Sequence, residues 1–202
     1  MSDNGLEILG RETVYRGFFQ VDRFRIRHRL YAGGWSTPMV REMFERGRAV
    51  ALLLYDPDAD AVVLVEQLRL AAHLAGLPAW QIEAVAGIVG ADDPSDEAVA
   101  RREAQEEAGV TVEGALLPIH RFMPSPGGST ETVHLLCGRV DSRAAGGTHG
   151  LADEHEDTKV VVLTYREAMR RLRAGAIVNG PTMLALYWLA ANRARLRRAW
   201  PA

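Results

Sequence analysis

Nine residues constrain this chain more than any others: Arg102-Glu103-Ala104-Gln105-Glu106-Glu107-Ala108-Gly109-Val110, which end the stretch GIVGADDPSDEAVARREAQEEAGV. The three glutamates stand at i, i+3 and i+4, spacings that put side chains on one face of an α-helix. Gly109 suits the left-handed residue that ends such a helix. Pro94 suits its first position and Asp93 the cap before it. Asp96, three residues on, mimics the reciprocal arm of a capping box. A helix over 94–108 is therefore predicted. Like charges on one helix face repel. These charges also fall in the last turn, where the helix dipole disfavours anions. Something must offset both costs, and a hard divalent cation such as Mg²⁺, which prefers carboxylate oxygens, is the simplest candidate. The bland alternative is a solvated acidic face. Arg101 and Arg102 just before the triplet, and the glycine-containing loop that enters the helix, weigh against it.

The rest of the chain supplies both strands and helices. Alternating, β-branched and aromatic runs predict strands at 12–15, 18–30 and 38–44, with a turn at Gly33-Gly34. Apolar strands follow at 49–55 and 61–67 around the turn residues Asp56-Pro57-Asp58. Further strands are expected at 116–123, 133–140 and 159–164, and helices at 166–174 and 182–198. Strands and helices mixed this way specify an α/β sandwich, with a small β-rich N-terminal domain over 1–46 and the main domain over 47–202. Arg23, Arg25, Arg27 and Arg29 recur at a strict period of two. They read as the solvated face of a sheet in preference to a phosphate-binding stripe.

The net charge of −2 gives no electrostatic case for nucleic acid. Cys137 is the single cysteine, so no internal disulfide can form, and its apolar surroundings predict a buried strand residue. The N-terminus lacks the apolar core of a secretory signal, and the run 183–191 is too short to span a bilayer. No membrane association and a reducing cytoplasmic location are the default expectations.

Two loops carry further candidate chemistry. Residues 146–157, GGTHGLADEHED, are glycine-rich and then acidic. Alone they read as a solvated loop; for a hydrolase they could deliver a base that activates water. His149 and His155 are poor choices for a Mg²⁺ site. Residues 125–131, SPGGSTE, form a tight turn whose glycines could bring N–H groups close to a ligand, or an ordinary connection between strands.

The stretch from Gly87 resembles the Nudix box, G-x5-E-x7-R-E-U-x-E-E-x-G-U, where U is apolar. The second half matches at every specified position, with Ala104 and Val110 as the U residues. From Gly87 to Arg102 there is one residue more than the family spacing. The family's isolated glutamate falls on Pro94, and Asp93 is its substitute. The insertion lies in the loop before the helix and leaves the triplet intact.

Further stretches extend the likeness over nearly the whole chain: ETVYRGFF from Glu12, REMFERG from Arg41, VVLVEQLR from Val62, and the two loops above. They resemble the bacterial ADP-ribose pyrophosphatase branch of the Nudix hydrolase superfamily. Pro126 fills the place of that branch's proline beyond the box, displaced by one residue.

The resemblance implies a Nudix α/β/α sandwich with a mixed sheet, its N-terminal domain exchanged in a homodimer with shared active sites. It implies Mg²⁺-dependent hydrolysis of ADP-ribose to AMP and ribose 5-phosphate, with two or more Mg²⁺ per site and Mn²⁺ as a substitute. Ala86, through its carbonyl, would bind the metal with Glu103, Glu107 and Glu156, and Glu154 would be the catalytic base. Phe18 and Phe19 would come from the partner subunit to the adenosine, with Arg41, Glu42 and Arg46 nearby. Arg69, Ile88, Ser125, Pro126, Gly127 and Glu131 would hold the diphosphate and terminal ribose. The rivals are hydrolysis of another nucleoside diphosphate sugar, such as GDP-mannose, and a non-catalytic ADP-ribose sensor. The intact triplet and the absence of an added DNA-binding segment argue against the sensor.

Overall fold

Two stretches of chain build the smaller of two units, Met1–Gly47 with Met123–Thr132; Arg48–Phe122 with Val133–Ala202 build the larger. The computed structural model describes residues 5–150 and 157–200. In the smaller unit β1 (Leu6–Arg16), β2 (Gln20–His28) and β3 (Met39–Glu45) form an antiparallel sheet in that order. The strand expected over 18–30 is interrupted. Residues 17–19 turn the chain, so Phe18 and Phe19 stand at a bend before β2. The arginine period belongs to a solvated sheet face. Arg23 pairs with Glu12 at 3.1 Å and Glu42 at 2.8 Å, and Arg27 with Glu7 at 2.6 Å. These are cross-strand pairs of opposite charge.

The larger unit has a mixed sheet with helices on both faces. Its elements are β4 (Arg48–Asp56), β5 (Ala61–Leu68), α1 (Leu70–Leu74), β6 (Trp80–Glu83), β7 (Val85–Val89), α2 (Asp96–Ala108), β8 (Glu113–Phe122), β9 (Thr132–Arg139), β10 (Thr148–His149), β11 (Thr158–Thr164), α3 (Tyr165–Arg173) and α4 (Gly180–Ala199). Among the described residues the strand order is β10-β11-β5-β4-β9-β8. Side chains alternate across a strand. Leu53, Tyr55 and Leu64 therefore pack under α3 and α4 with Met169, Leu172, Leu186 and Leu189. Val50, Leu52, Leu54 and Val65 pack under α2 with Val99, Ala100, Ala104 and Ala108. A sheet covered on both faces needs unbroken apolar strands, which is what 50–55 and 61–65 are. Cys137 on β9 is buried, and burial pushes its thiol up to about 12.

The two central strands part company. β4 pairs with β5 only over Leu54–Asp56, and Arg48–Leu52 pair with β7 instead. The far half of β5, Val65–Leu68, takes β6. The segment β6–β7 thus crosses from one central strand to the other, with Ala84 between them donating its N–H to Thr182 Oγ1 at 2.8 Å. The sequence reading contained neither strand, nor α1.

The helix over 94–108 forms, but it starts at Asp96 with Ser95 as its cap. Ser95 Oγ accepts from the Ala98 N–H at 3.1 Å. Asp93 instead closes the preceding loop by accepting from the Gly90 N–H at 2.7 Å. Gly109 is left-handed, with φ 64°, and its N–H donates to the Gln105 carbonyl at 3.1 Å, the 5→1 bond of an αL cap, while the Val110 N–H reaches the Ala104 carbonyl at 3.2 Å. Among the described residues no helix is long and apolar enough to cross a membrane.

Candidate active site

The last two turns of α2 lie on β7, and two glutamates fill the contact. Glu107 is only 3 % exposed, and its carboxylate accepts the Ala86 N–H at 3.1 Å. Glu103, one turn earlier, lies against Gly87. A Cβ at 87 would overlap the Glu103 carboxylate, so only glycine leaves it room. On the outer side Arg102 reaches both Glu103, at 2.8 Å, and Glu106, at 2.6 Å. The repulsion expected from the triplet is thus offset partly within the protein, by Arg102 and by a strand N–H.

The donor set suits a hard divalent cation: two carboxylates at one seat, beside a strand whose main chain offers a carbonyl at Ala86. Among the described residues no three His, Cys, Asp or Glu side chains converge into a metal-binding group. Glu154 and Glu156, expected as base and further ligand, lie outside the described residues. Gly87, by leaving room for the Glu103 carboxylate, and Ala86, by seating Glu107 on the neighbouring residue of the strand, supply oxygen donors of the kind such a cation takes.

β6 adds a residue the sequence reading missed. Glu83 is buried, and its Oε2 accepts from Arg69 Nη2 at 2.7 Å and Nε at 3.0 Å, with Gln67 Nε2 at 3.4 Å. Arg69 thus sets two N–H donors on one carboxylate oxygen, a charge-assisted contact that restrains its guanidinium. The available signal was a lone carboxylate between Ile82 and Ala84. Ile88, next to Gly87 on β7, is exposed. One short crossing segment thus carries Glu83, Ala86, Gly87 and Ile88.

At the C-terminal end of α2, the His149 ring packs on Gly109, where a Cβ would overlap it. His149 Nε2 is 2.8 Å from the Gly146 carbonyl, and the Gly150 N–H donates to the Glu106 carbonyl at 3.2 Å. His149 is thus engaged by main chain at the end of α2.

The smaller unit gathers a second set. Phe18 is 88 % exposed and meets Phe19 edge-on at 4.8 Å; Phe19 meets Phe44 at 4.9 Å. The Arg46 guanidinium lies 5.1 Å from the Phe19 ring centre and 3.7 Å from Glu131. Residues 125–131 turn at Ser125, whose carbonyl accepts from Gly128 and Ser129, placing Pro126 and Gly127 in the turn. The turn docks on β3: the Phe44 N–H donates to Gly128 O at 2.8 Å, and the Thr130 N–H to Phe44 O at 3.0 Å. Arg41 and Glu42 lie further along β3. Glu42 is engaged by Arg23, and Arg41 Nη1 donates to the Val40 carbonyl at 2.9 Å. Phe18, Phe19, Arg46 and Glu131 come together in this unit; Arg41 and Glu42 are not part of that cluster.

Known proteins resemble this chain over most of its length. A chain from Escherichia coli (strain K12) named ADP-ribose pyrophosphatase is 45% identical over 197 residues, covering 98% of this chain and 93% of that one. A GDP-mannose pyrophosphatase from Cronobacter sakazakii (strain ATCC BAA-894) is 37% identical over 150 residues, 74% of this chain and 76% of that one. A solved structure described as an ADP compounds hydrolase superposes with a TM-score of 0.72 at 18% identity, covering 100% of both chains, and speaks to the fold. The NUDIX domain profile matches residues 45–185, a span that holds the crossing strands, the glutamate seat and the helix that carries it, and the chain belongs to the NUDIX domain family.

Proposed function

We propose that this chain is a divalent-metal-dependent hydrolase that cleaves the diphosphate of ADP-ribose to AMP and ribose 5-phosphate. The observation that carries the reaction class is the seating of Glu103 and Glu107 on Ala86–Gly87. The substrate follows from the relatives. The ADP-ribose pyrophosphatase matches nearly end to end at 45%, whereas the GDP-mannose pyrophosphatase matches three quarters of the chain at 37%.

In this reading Glu103, Glu107, Glu156 and the Ala86 carbonyl hold two or more Mg²⁺, or Mn²⁺ in their place. Metal bound there supplies neutralisation of the diphosphate charge and a more acidic water. Glu154 takes the proton of the attacking water. A new bond forms from that water's oxygen to one phosphorus, the bridging P–O bond breaks, and the departing phosphate keeps the electron pair. Arg69, oriented by Glu83, contacts the diphosphate with Ser125, Pro126, Gly127 and Glu131, while Ile88 meets the terminal ribose.

Residues 1–46 form the N-terminal domain and 47–202 the hydrolase domain, and two copies exchange the former. Phe18 and Phe19 then reach the adenine of the partner's site, with Arg41, Glu42 and Arg46 beside it. The exposure of Phe18 and of the apolar residues on β1 supports an interface there. A cytoplasmic location belongs to the same reading.

Product analysis by chromatography tests the whole reading. Purified protein with Mg²⁺ and a panel of nucleotide sugars should give AMP and ribose 5-phosphate from ADP-ribose, at a higher kcat/KM than for GDP-mannose. A higher kcat/KM on GDP-mannose overturns the substrate; no hydrolysis of any panel member overturns the enzyme.

A further inference from the structure

Asp96 opens α2, and the residue is buried, with 8 % of its surface exposed. As a first-turn acid it would ordinarily face solvent and complement the helix dipole. Here it points into the larger unit and gathers three basic side chains from three strands. Arg48 Nη1 on β4 reaches Oδ1 at 3.3 Å. Arg121 Nη2 on β8 reaches Oδ2 at 2.7 Å, and His134 Nδ1 on β9 reaches the same oxygen at 3.0 Å. A carboxylate only accepts, so the His134 Nδ1 carries the hydrogen. The 3.2 Å approach of Arg121 Nη2 to that nitrogen is then a contact, not a second bond. Arg121 and His134 are also register partners in the β8/β9 pair.

The position of Asp96 on the helix gives this cluster its meaning. Asp96, Glu103 and Glu107 stand at i, i+7 and i+11. At about 100° per residue those offsets return within about 20° of one line along the helix. All three therefore share one stripe, with about 10 Å along the axis between the first two. The far end of the stripe is fixed by Glu107 on Ala86 and by the Gly109 cap. The near end is fixed by Asp96. We propose that Asp96 is a positioning residue: by tying the first turn of α2 to β4, β8 and β9, it sets the helix rotation and axial height that seat Glu103 and Glu107 against β7. This rests on the reading of those glutamates as metal ligands. Without the clamp the first turn rests on the apolar packing of Val99 and Ala100 alone, which is non-directional and leaves the rotation and height of the helix less sharply set. A shift of about 1 Å in a catalytic group costs up to about a hundredfold in rate.

The test uses Asp96→Asn in the full chain, which keeps the size of the side chain and removes its charge. Well below the melting temperature, kcat on ADP-ribose should fall about tenfold while KM stays within about twofold. Binding of free Mn²⁺ without substrate, read by electron paramagnetic resonance, should weaken severalfold. Glu113→Gln, which takes one carboxylate from the Arg139 pair on the same unit, should change none of these. If Asp96→Asn lowers only the melting temperature, leaving kcat and Mn²⁺ affinity unchanged, the residue is merely structural and the proposal fails. Should that variant not fold, Arg121→Gln and His134→Gln each remove one arm, and kcat and Mn²⁺ affinity must fall together in both; no change in either overturns the clamp. Glu107→Gln run in parallel separates the two ideas. If it keeps full kcat and Mn²⁺ binding, the metal-site reading is refuted. If it is impaired and Asp96→Asn is not, only the positioning role falls.

Discussion

In the larger unit every residue from Val50 to Asp56 is buried, and so are Ala61 to Val65. In the smaller unit, among the described residues, not one apolar side chain is buried. Its one buried side chain is the carboxylate of Asp22, gripped by Arg11 and by Gln20 at 2.9 Å. Leu6, Ile8, Leu9, Val14, Tyr15 and Phe18 are all exposed. A sheet with hydrocarbon on both faces stabilises itself by burial. A three-stranded sheet whose one interior group is an ion pair gains little that way. The two units therefore differ in what holds them. The larger carries its own core and with it the glutamate seat. The smaller is ordered by polar pairs and presents apolar surface, as a unit completed by a partner would.

The largest expected effect tests that contrast directly. Leu186→Ala removes a fully buried side chain from the core-facing side of α4 and should cost about 2–5 kcal/mol of stability in denaturant unfolding. Ile8→Ala, on the exposed face of β1, should cost within about 0.5 kcal/mol when the protein is dilute enough to be monomeric. Its cost should grow with protein concentration if the face is an interface. Equal costs at every concentration would give the smaller unit a core of its own and break the comparison.

Next comes catalysis. Glu107→Gln should leave a folded protein but lower kcat by about a hundredfold or more, because a charged ligand is lost. Glu154→Gln should lower kcat by at least about a hundredfold with KM near normal, as expected of a base. Steady-state kinetics on ADP-ribose reads both. Full activity of Glu107→Gln in Mg²⁺, or of the wild type in excess chelator, refutes the metal seat. A loss in Asp153→Asn but not in Glu154→Gln moves the base by one residue.

The seat was legible in the sequence because helical spacing alone puts Glu103 and Glu107 on one face, and Gly109 marks the end. The central strands were legible because their apolar runs are unbroken. The crossing strands β6 and β7 were not. Gln81 and Glu83 look like solvent-facing positions, yet both are buried, and the partner that makes Glu83 tolerable, Arg69, lies 14 residues away. The cap was misplaced for a related reason. Asp93-Pro94 is as good a start signal as Ser95, and only the loop hydrogen bond from Gly90 decides between them. Asp96 reads locally as a capping-box mimic. Its real partners, at 48, 121 and 134, are brought to it by the sheet. Pairings of this kind have no local signature.

A smaller effect probes the smaller unit's proposed place in a partner's site. Phe18→Ala should raise KM for ADP-ribose more than it lowers kcat, by a stacking and burial loss of about 1–3 kcal/mol. Arg41→Ala should be similarly weak. If the two residues serve one site from different subunits, co-refolded mixtures contain dimers in which one site has both intact and the other neither. Such mixtures should regain part of the normal affinity. A monomer by light scattering, or no recovery in mixed dimers that demonstrably form, removes the exchanged unit from the mechanism.

The smallest effect concerns Asp22. Burial alone would raise its carboxyl, but hydrogen bonds from Thr13, Arg11 and Gln20, and the charge of Arg11, outweigh it and hold the group below its ordinary value. A carboxyl whose folded pKa is depressed contributes stability that is present above its unfolded pKa, about 3.9, and is lost as pH falls through the folded value. Wild type and Asp22→Asn should therefore differ most near neutral pH and converge in acid, where the protonated carboxyl offers no more charge than the amide. The readout must be local, because the larger unit holds depressed carboxyls of its own: Asp141 lies at about 2 through Arg143, and Glu167 at about 2 through Arg170 and Arg171. Those groups would mask the change in a global melt. Hydrogen exchange of peptides covering β1 and β2 isolates it. Faster exchange in Asp22→Asn at neutral pH, with the gap closing below about pH 4, is the expected result. A gap that persists unchanged into acid would mean that the shape of the Asp22 site, not its charge, holds the smaller sheet together, and the contrast between an ionic and an apolar interior would have to be withdrawn.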